Sequence, residues 1–557
     1  MAESATGEKL NYLNHERGLW SWLTTIDHKR IGLMYLFAMT IFFFVAGILA
    51  LCMRLELFHP GPDIMTAETY NVFFTLHGTI MIFLFIVPGI PATMGNFLIP
   101  LMIGAKDVAF PRLNLLSYYL YLIGAVLALV ALVKPVGPEF FSNFLTWLGL
   151  TGPVDTGWTF YAPYSLESGT AVVWMTFAAF ILGFSSILTG LNFIVTIHKL
   201  RAPGMTWFRL PVFIWASYAT AIIQTLATPV VGISLLLIIL ERVMGIGIFN
   251  PKLGGDPVLF EHFFWFYSHP VVYIMVLPAF GIVGEIIPVF SRKPLFGYKM
   301  VCYASLAIAF VGFFIWAHHM FVAGISDKSA IYFSIATFGV AIPTAIKVFN
   351  WVSTMYKGSI RLETPMLYAM SFVFIFLIAG TTGVYLATLA TDVFYHDTYF
   401  VVAHFHYTIQ GGAVIGLIAA LHFWYPKITG KMYNDKVARS AWFLVFVGFN
   451  LTFLPQFVLG MQGMPRRYFD YLPMFEPMHQ LSTIGAFING AGYSLALLNL
   501  FYCAFFGKER APSNPFESHS LEWQTQSPPI HENFEETPVV TDWPYSYGVP
   551  VEGGGHH

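Results

Sequence analysis

The sequence predicts an all-α, polytopic membrane protein of twelve transmembrane helices, and three observations carry that prediction. Of its 557 residues, 57% are hydrophobic and only 10% charged, against about 25% charged in a soluble globular protein. Apolar runs of roughly 20 residues, each able to cross a bilayer core of about 30 Å, recur along the whole length. With the N-terminus inside, 20 Lys and Arg fall on the inner side and seven on the outer, the asymmetry that orients membrane helices. A net charge of −2 argues against a nucleic-acid partner. Cys52, Cys302 and Cys503 show no CxxC spacing, so neither a disulfide framework nor a zinc site is indicated.

The N-terminus is polar up to about Leu19, which predicts no cleavable signal; the first span, 31–55, would itself direct insertion. The second span, 71–101, carries FFTLHGTIM and ends at the charged loop 102–114. The third, 115–133, and fourth, 170–197, lead to the basic loop 198–210, and the fifth covers 211–242. WFYSHPVVY lies in the sixth, 260–289, and WAHHMF closes the seventh, 299–321. The eighth, 330–354, contains Lys347, the one Lys or Arg in a span that is not at its first or last residues, and the ninth is 367–391. VVAHFHY opens the tenth, 401–424; the eleventh and twelfth are 440–460 and 481–506. The division expected is therefore a membrane domain over 1–510 and a tail over 511–557. That tail is Pro-rich, acidic and aromatic, and is expected to lie extended on the cytoplasmic face; its closing GGGHH is set aside.

Ionisable residues inside a membrane are functional suspects. Six histidines stand out: His77, His269, His318, His319, His404 and His406. By topology and a rise of 1.5 Å per residue, all six fall in the outer half, within about 10 Å of one another in depth. On a helix His404 and His406 point about 200° apart, so they cannot easily bind one metal but can bind two cofactors on opposite sides of span ten. His318 and His319, about 100° apart, can converge on one ion with His269 as a third ligand. Imidazole suits copper, iron and zinc, and a haem iron takes one or two axial histidines. Six ligands divide as three for a non-haem metal, two for a six-coordinate haem and one for a five-coordinate haem. The open haem position then faces the metal, which is oxygen chemistry.

At these residues the sequence resembles subunit I of the haem–copper oxidases, of the cytochrome c oxidase type, across essentially all twelve spans. The matching stretches are FFTLHGTIMIF, PLMIGAKDVAFPRLNLLS, SHPVVYIMVLP, WAHHMF, PTAIKVFNW, HDTYFVVAHFHY and GMPRRY, in family order. The resemblance implies a low-spin haem A on His77 and His406, and a high-spin haem A on His404. It implies copper on His269, His318 and His319, with Tyr273 joined to the first of these and supplying an electron and a proton. Arg466 and Arg467 would bind haem propionates, with Trp158 and Asp392 in support, and Arg54 the formyl group of haem A. His396 and Asp397 match a magnesium site completed by subunit II; Glu56, His59 and Gly61 match a calcium or sodium loop. Subunits II and III, cytochrome c or a fused cytochrome c domain, O2 and protons are the implied partners, with a respiratory supercomplex as a further assembly. The implied place is the bacterial cytoplasmic membrane, both termini cytoplasmic.

Protons need a polar route through the inner half. One candidate runs from Lys347 past Thr344 toward Tyr273; the serine the family has at its mouth is here Gly284, followed by Glu285. The other starts at Asp107, with Asn114 and Asn192 at matching polar positions. Most of the family has HPEVY on span six, its glutamate a proton branch point, and here that residue is Val271. The preceding Tyr267 and Ser268 resemble a second subgroup in which two hydroxyls replace the carboxylate. Tyr267 is four residues before Val271, so the two share a helix face.

A quinol oxidase of the same superfamily shares every metal ligand, but DIMTAETYNV lacks the histidine expected there. Nitric oxide reductases lack a tyrosine at the position of Tyr273. A transporter with a histidine relay is the rival from another class, and haem content separates it.

Overall fold

The computed structural model describes residues 10–134 and 139–548; the closing GGGHH lies outside them. Among these, twelve helices build the bundle: α1 His28–Glu56, α2 Ala67–Ile103, α3 Pro111–Val130, α4 Val172–Lys199, α5 Val212–Met244 and α6 Pro257–Ser291. They continue with α7 Tyr298–Gly312, α8 Asp327–Met355, α9 Thr364–Ala387, α10 Tyr399–Thr429, α11 Asp435–Met461 and α12 Glu476–Phe506. Asp27, Thr66, Asp256, Ser326, Thr398 and Asn434 cap the N-termini of α1, α2, α6, α8, α10 and α11 with side-chain oxygens. Each such cap contributes about 0.5–2 kcal/mol.

Eleven of the helices are long and apolar enough to cross a membrane. The exception is α7. The expected helix over 299–321 stops at Gly312, and Trp316–Met320 forms a 3-10 turn instead. Side-chain attachments to neighbouring helices explain the break. Trp316 donates to His262 of α6 (3.2 Å), and His319 lies flat on Trp265 of α6, ring centroids 3.8 Å apart. His318 reaches Thr337 of α8 at 3.0 Å. A continuous helix would keep both histidines on its own surface.

Nearly every residue of α6 from Phe264 to Ser291 is buried, which makes it the axis of the bundle. α1 and α8 face outward instead, exposing Phe37, Ile41 and Ile48, and Ile335, Ile342 and Phe349, where lipid would cover them. In α2 and α10 the helix widens to π-turns at Ile80–Ile86, Pro91–Gly95 and Ile409–Val414. In each helix the first widening begins three residues after a candidate ligand, His77 or His406; such turns recur at functional sites.

The tail was expected to lie extended over one face. Over 511–548 its only helical element is the 3-10 turn Leu521–Gln524, and it packs on the bundle end where α1 begins and α12 ends, burying Phe516, Leu521, Trp523, Tyr545 and Tyr547. Its Asn533 is fully buried and bonds Lys29 Nζ (2.7 Å) and the carbonyl of Ala105 (2.8 Å). His531 pairs with Asp27 at 2.9 Å. Burial opposes ionisation of Asp27, but the His531 hydrogen bond and the Lys29 charge hold its carboxyl well below the usual range. The same bond raises His531. The His531 contribution is full below its ordinary value near 6.5 and fades as pH rises through the raised one. The Asp27 contribution is lost only as pH falls through its depressed value. Hydrogen exchange over residues 527–540, corrected for intrinsic rate, should therefore be roughly two- to five-fold less protected at pH 9 than at pH 6. In His531→Ala the difference should vanish; equal protection in the unmodified protein contradicts the pairing.

Candidate functional site

A cavity of about 1250 Å³ opens within the bundle, and all six singled-out histidines line it. Its size exceeds the roughly 300–1,000 Å³ of a single-ligand pocket. Hydrogen bonds fix what each ring can offer. His77 Nδ1 meets the carbonyl of Ala46 on α1 (2.9 Å), and His406 Nδ1 meets that of Val402 (2.8 Å). A carbonyl only accepts, so both rings carry hydrogen on Nδ1 and keep a lone pair on Nε2. His404 Nδ1 meets the Thr382 hydroxyl (3.0 Å), which itself donates to Ile378. Thr337 likewise donates to Phe333 and so accepts from His318 Nδ1. Four rings are thus held with Nε2 ready for a metal.

His269, His318 and His319 bring one ligand nitrogen each within 4.8 Å of one another, the only such group found among the described residues. His269 Nδ1 is 3.2 Å from His319 Nε2, while His269 Nε2 is buried without a partner. His404 is within electrostatic reach of His318, and His406 of His77. Tyr273, one turn along α6, sets its ring 4.9 Å from that of His269 at 71°. Room for it comes from Gly312 at the end of α7, where a Cβ would sit 2.9 Å from Tyr273 Cδ2.

At the rim, Arg466, Arg467, Trp158, Asp392, His396 and Asp397 all line the cavity. Asp397 accepts from Arg466 Nε (2.7 Å), and His396 pairs with Asp392 (2.7 Å). Burial works against the Asp397 charge, yet Arg466, His396 and Arg467 hold its carboxyl below the usual range. Arg54 donates to the carbonyl of His479 (2.7 Å) and to Thr483 (3.0 Å), and its buried Nε has no partner. Glu56 ends α1, and His59 and Gly61 follow it in the loop. Glu56 accepts from the amides of Asp63, Ile64 and Met65, His59 pairs with Glu476, and the Gly61 amide donates to Asp470. As placed, they clamp the loop after α1.

The chain matches the family model described as Cytochrome C and Quinol oxidase polypeptide I over residues 30–488. It belongs to that family. A cytochrome c oxidase subunit 1 of Synechocystis is 45% identical over 97% of this chain and 95% of its own length. That of Bacillus subtilis is 43% identical over 95% and 84%. A solved haem–copper terminal oxidase dimer superposes with a TM-score of 0.74 at 19% identity, covering 88% of this chain and 86% of that one; it attests the fold. The chain has the role of catalytic subunit in a terminal oxidase of cytochrome c oxidase type, within a multi-subunit membrane complex. Haem and copper are the family's cofactors. The residues fit them: free Nε2 atoms around a large, mostly apolar cavity for haem, and three clustered imidazoles for copper.

In this oxidase subunit two lines of polar side chains run from the face holding both termini. Asp107, half-buried, bonds the amide of Val108, and burial pushes its carboxyl up to about 7. Asn192 is not free beside it; both ends of its amide hold the backbone of Phe110. Asn114 has both amide atoms buried and unpartnered, which calls for water. Beyond it Tyr35 links Ser117 and Ser185 at 3.1 Å each. A second cavity of about 30 Å³, room for about one water, is lined by Ser185, Thr189, Gln224 and Tyr267. Sequence reading missed Tyr35, Ser117, Ser185 and Gln224; lone polar residues in apolar helices were the available signal. Despite their shared helix face, Tyr267 lines this small cavity and Val271 the large one. Ser268, its hydroxyl buried and unpartnered, also lines the large cavity.

On the second line, Lys347 is buried and donates to Ser305 Oγ (2.7 Å) and to the carbonyl of Val301 (3.2 Å); it does not snorkel. Thr344, one turn along α8, lines the large cavity.

Gly312→Ala should displace the Tyr273 ring while leaving the copper ligands intact. Turnover should fall up to about 100-fold, the cost of misplacing a reacting group by an ångström, with copper content unchanged. Unaltered O2 uptake would show that the position of Tyr273 is not critical.

Proposed function

We propose that this chain reduces O2 to water with electrons from cytochrome c, delivered through a subunit II or a fused cytochrome c domain. Protons are taken up and pumped across a bacterial cytoplasmic membrane, both termini on the cytoplasmic side. The observation that carries the reading is the set of hydrogen bonds that leaves Nε2 of His77, His404, His406 and His318 free toward one cavity. His77 and His406 hold a low-spin haem A, and His404 a high-spin haem A. His269, His318 and His319 hold copper. When bound, these groups would supply electron transfer and O2 binding.

The chain's own residues do the rest. Tyr273, beside His269, gives a proton and an electron close to the O2 site. Arg466 and Arg467 attract haem propionates, with Trp158 and Asp392 at the same rim. The unpartnered Nε of Arg54 suits the formyl group of haem A. His396 and Asp397 offer an imidazole and a carboxylate to magnesium, completed by a partner's carboxylate. A subunit III and a respiratory supercomplex are further partners on this reading. Protons enter by the lines from Asp107 and Lys347. Supporting the first are the unpartnered amide of Asn114 and the small cavity below Tyr267; Tyr267 and Ser268 hand protons on where Val271 cannot.

The purified complex should consume O2 with reduced cytochrome c and not with a quinol. Tyr267→Phe and Asp107→Asn should each slow it at least about tenfold, as loss of a proton-transfer group does, without altering the haem spectrum. Quinol as the sole donor overturns the donor assignment. Full turnover in both variants overturns this proton route.

A further inference from the structure

Glu285 lies deep in α6 beside the start of α5, where Gly284 lets the two helices meet: a Cβ there would sit 2.7 Å from Val212 Cγ2. Its Oε1 accepts from the amide of Phe213 (2.9 Å) and from the hydroxyl of Tyr545 (2.6 Å). That hydroxyl in turn accepts from the amide of Val212 (2.7 Å). Tyr545 belongs to the C-terminal tail, and both side chains are buried. A carboxyl group so placed is costly unless it has work to do or a partner. It caps the N-terminus of α5, but a Ser or Asn would do that without a buried charge.

Its surroundings lead toward Lys347. The Tyr545 ring packs 5.8 Å from that of Tyr298 on α7, with Trp543 against both. Cys302, one turn along α7, is within electrostatic reach of Tyr298, Glu285 and Lys347. Ser305 and Val301 on the same helix hold Lys347 Nζ. Trp351, one turn from Lys347, has a buried indole N–H with no partner, 3.7 Å from where a Gly284 Cβ would stand. An unpartnered buried donor between two ionisable groups is where ordered water belongs. Among the described residues no carboxylate lies within ion-pair distance of Lys347.

We propose that Glu285 is the proton-intake group of the lysine route and that Tyr545, reaching in from the tail, positions it. The inference rests on the reading of Lys347 as a proton carrier. In each cycle the Glu285 carboxylate takes one proton from the aqueous phase at the face of the termini, forming an O–H bond. That bond breaks as the proton passes through water beside Tyr298 and Cys302 to the neutral amine of Lys347. Glu285 returns to carboxylate and no electron moves. The tail is thereby part of the route as well as a cover.

The test uses the whole complex with reduced cytochrome c and compares Lys347→Met, Glu285→Gln, Glu285→Asp, Tyr545→Phe and the Glu285→Gln/Lys347→Met pair. Glu285→Gln should turn over at least about tenfold slower, Glu285→Asp should recover much of the rate, and Tyr545→Phe should fall about threefold or more. The pair should be no slower than Lys347→Met, because both act in one route. Haem spectrum and copper content should be unchanged, while the slowed variants show a larger solvent deuterium isotope effect, which mere loosening of the tail would not produce. Full turnover in Glu285→Gln, or losses that multiply in the pair, overturns the inference alone. Full turnover in Lys347→Met overturns the lysine route and this inference with it.

Discussion

An imidazole buried among apolar helices must satisfy one ring nitrogen, and the nitrogen that does so is lost to a metal. Most of the site follows from where that bond goes. Ala46 and Val402 offer carbonyls, and Thr382 and Thr337 hydroxyls whose own protons are already committed to helix backbones. In each case Nδ1 is tied down and Nε2 turned to the cavity. Were these partners missing, the rings could rotate or change tautomer, and six histidines would not add up to three sites.

The bundle is arranged around that requirement. α6 is buried on nearly every side because it carries His269, Tyr273 and the Tyr267–Ser268 pair between two cavities. α7 gives up its last turns so that the two adjacent histidines can lean on α6 and α8. π-turns in α2 and α10 follow directly after His77 and His406, shifting the helix face below the ligand by part of a turn. At the far end of the molecule the tail is held by buried polar contacts, Asn533 at Lys29 and Tyr545 at Glu285, which an unattached segment would not maintain.

How much was legible in the sequence follows the range of the interactions. Apolar runs and Lys/Arg asymmetry specify spans, because the membrane acts on each helix separately. The six histidines could be singled out for the same reason, and all six line one cavity. The end of α7 was not legible: Trp316 and His319 leave the helix for partners on α6, and no local pattern encodes a partner 54 residues away. The tail was legible only in part. Its composition suggested an extended segment on one face, and which of its aromatics would be buried there, Phe516, Trp523, Tyr545 and Tyr547, could not be read from it. Asn192 and Asn114 are both at polar positions of the route, yet Asn192 holds the backbone of Phe110 while Asn114 has its amide unpartnered. Residue type could not separate them; only the surrounding hydrogen bonds do.

The central claim is that six histidines divide as two, one and three among two haems and a copper. It is tested most directly by a carbon monoxide difference spectrum of the purified complex, with iron and copper counted. The account predicts two haems per chain, only one of them binding carbon monoxide, and one copper in this subunit that is lost in His319→Ala while both haems remain. Two haems that both bind carbon monoxide, or copper retained in that variant, would contradict it.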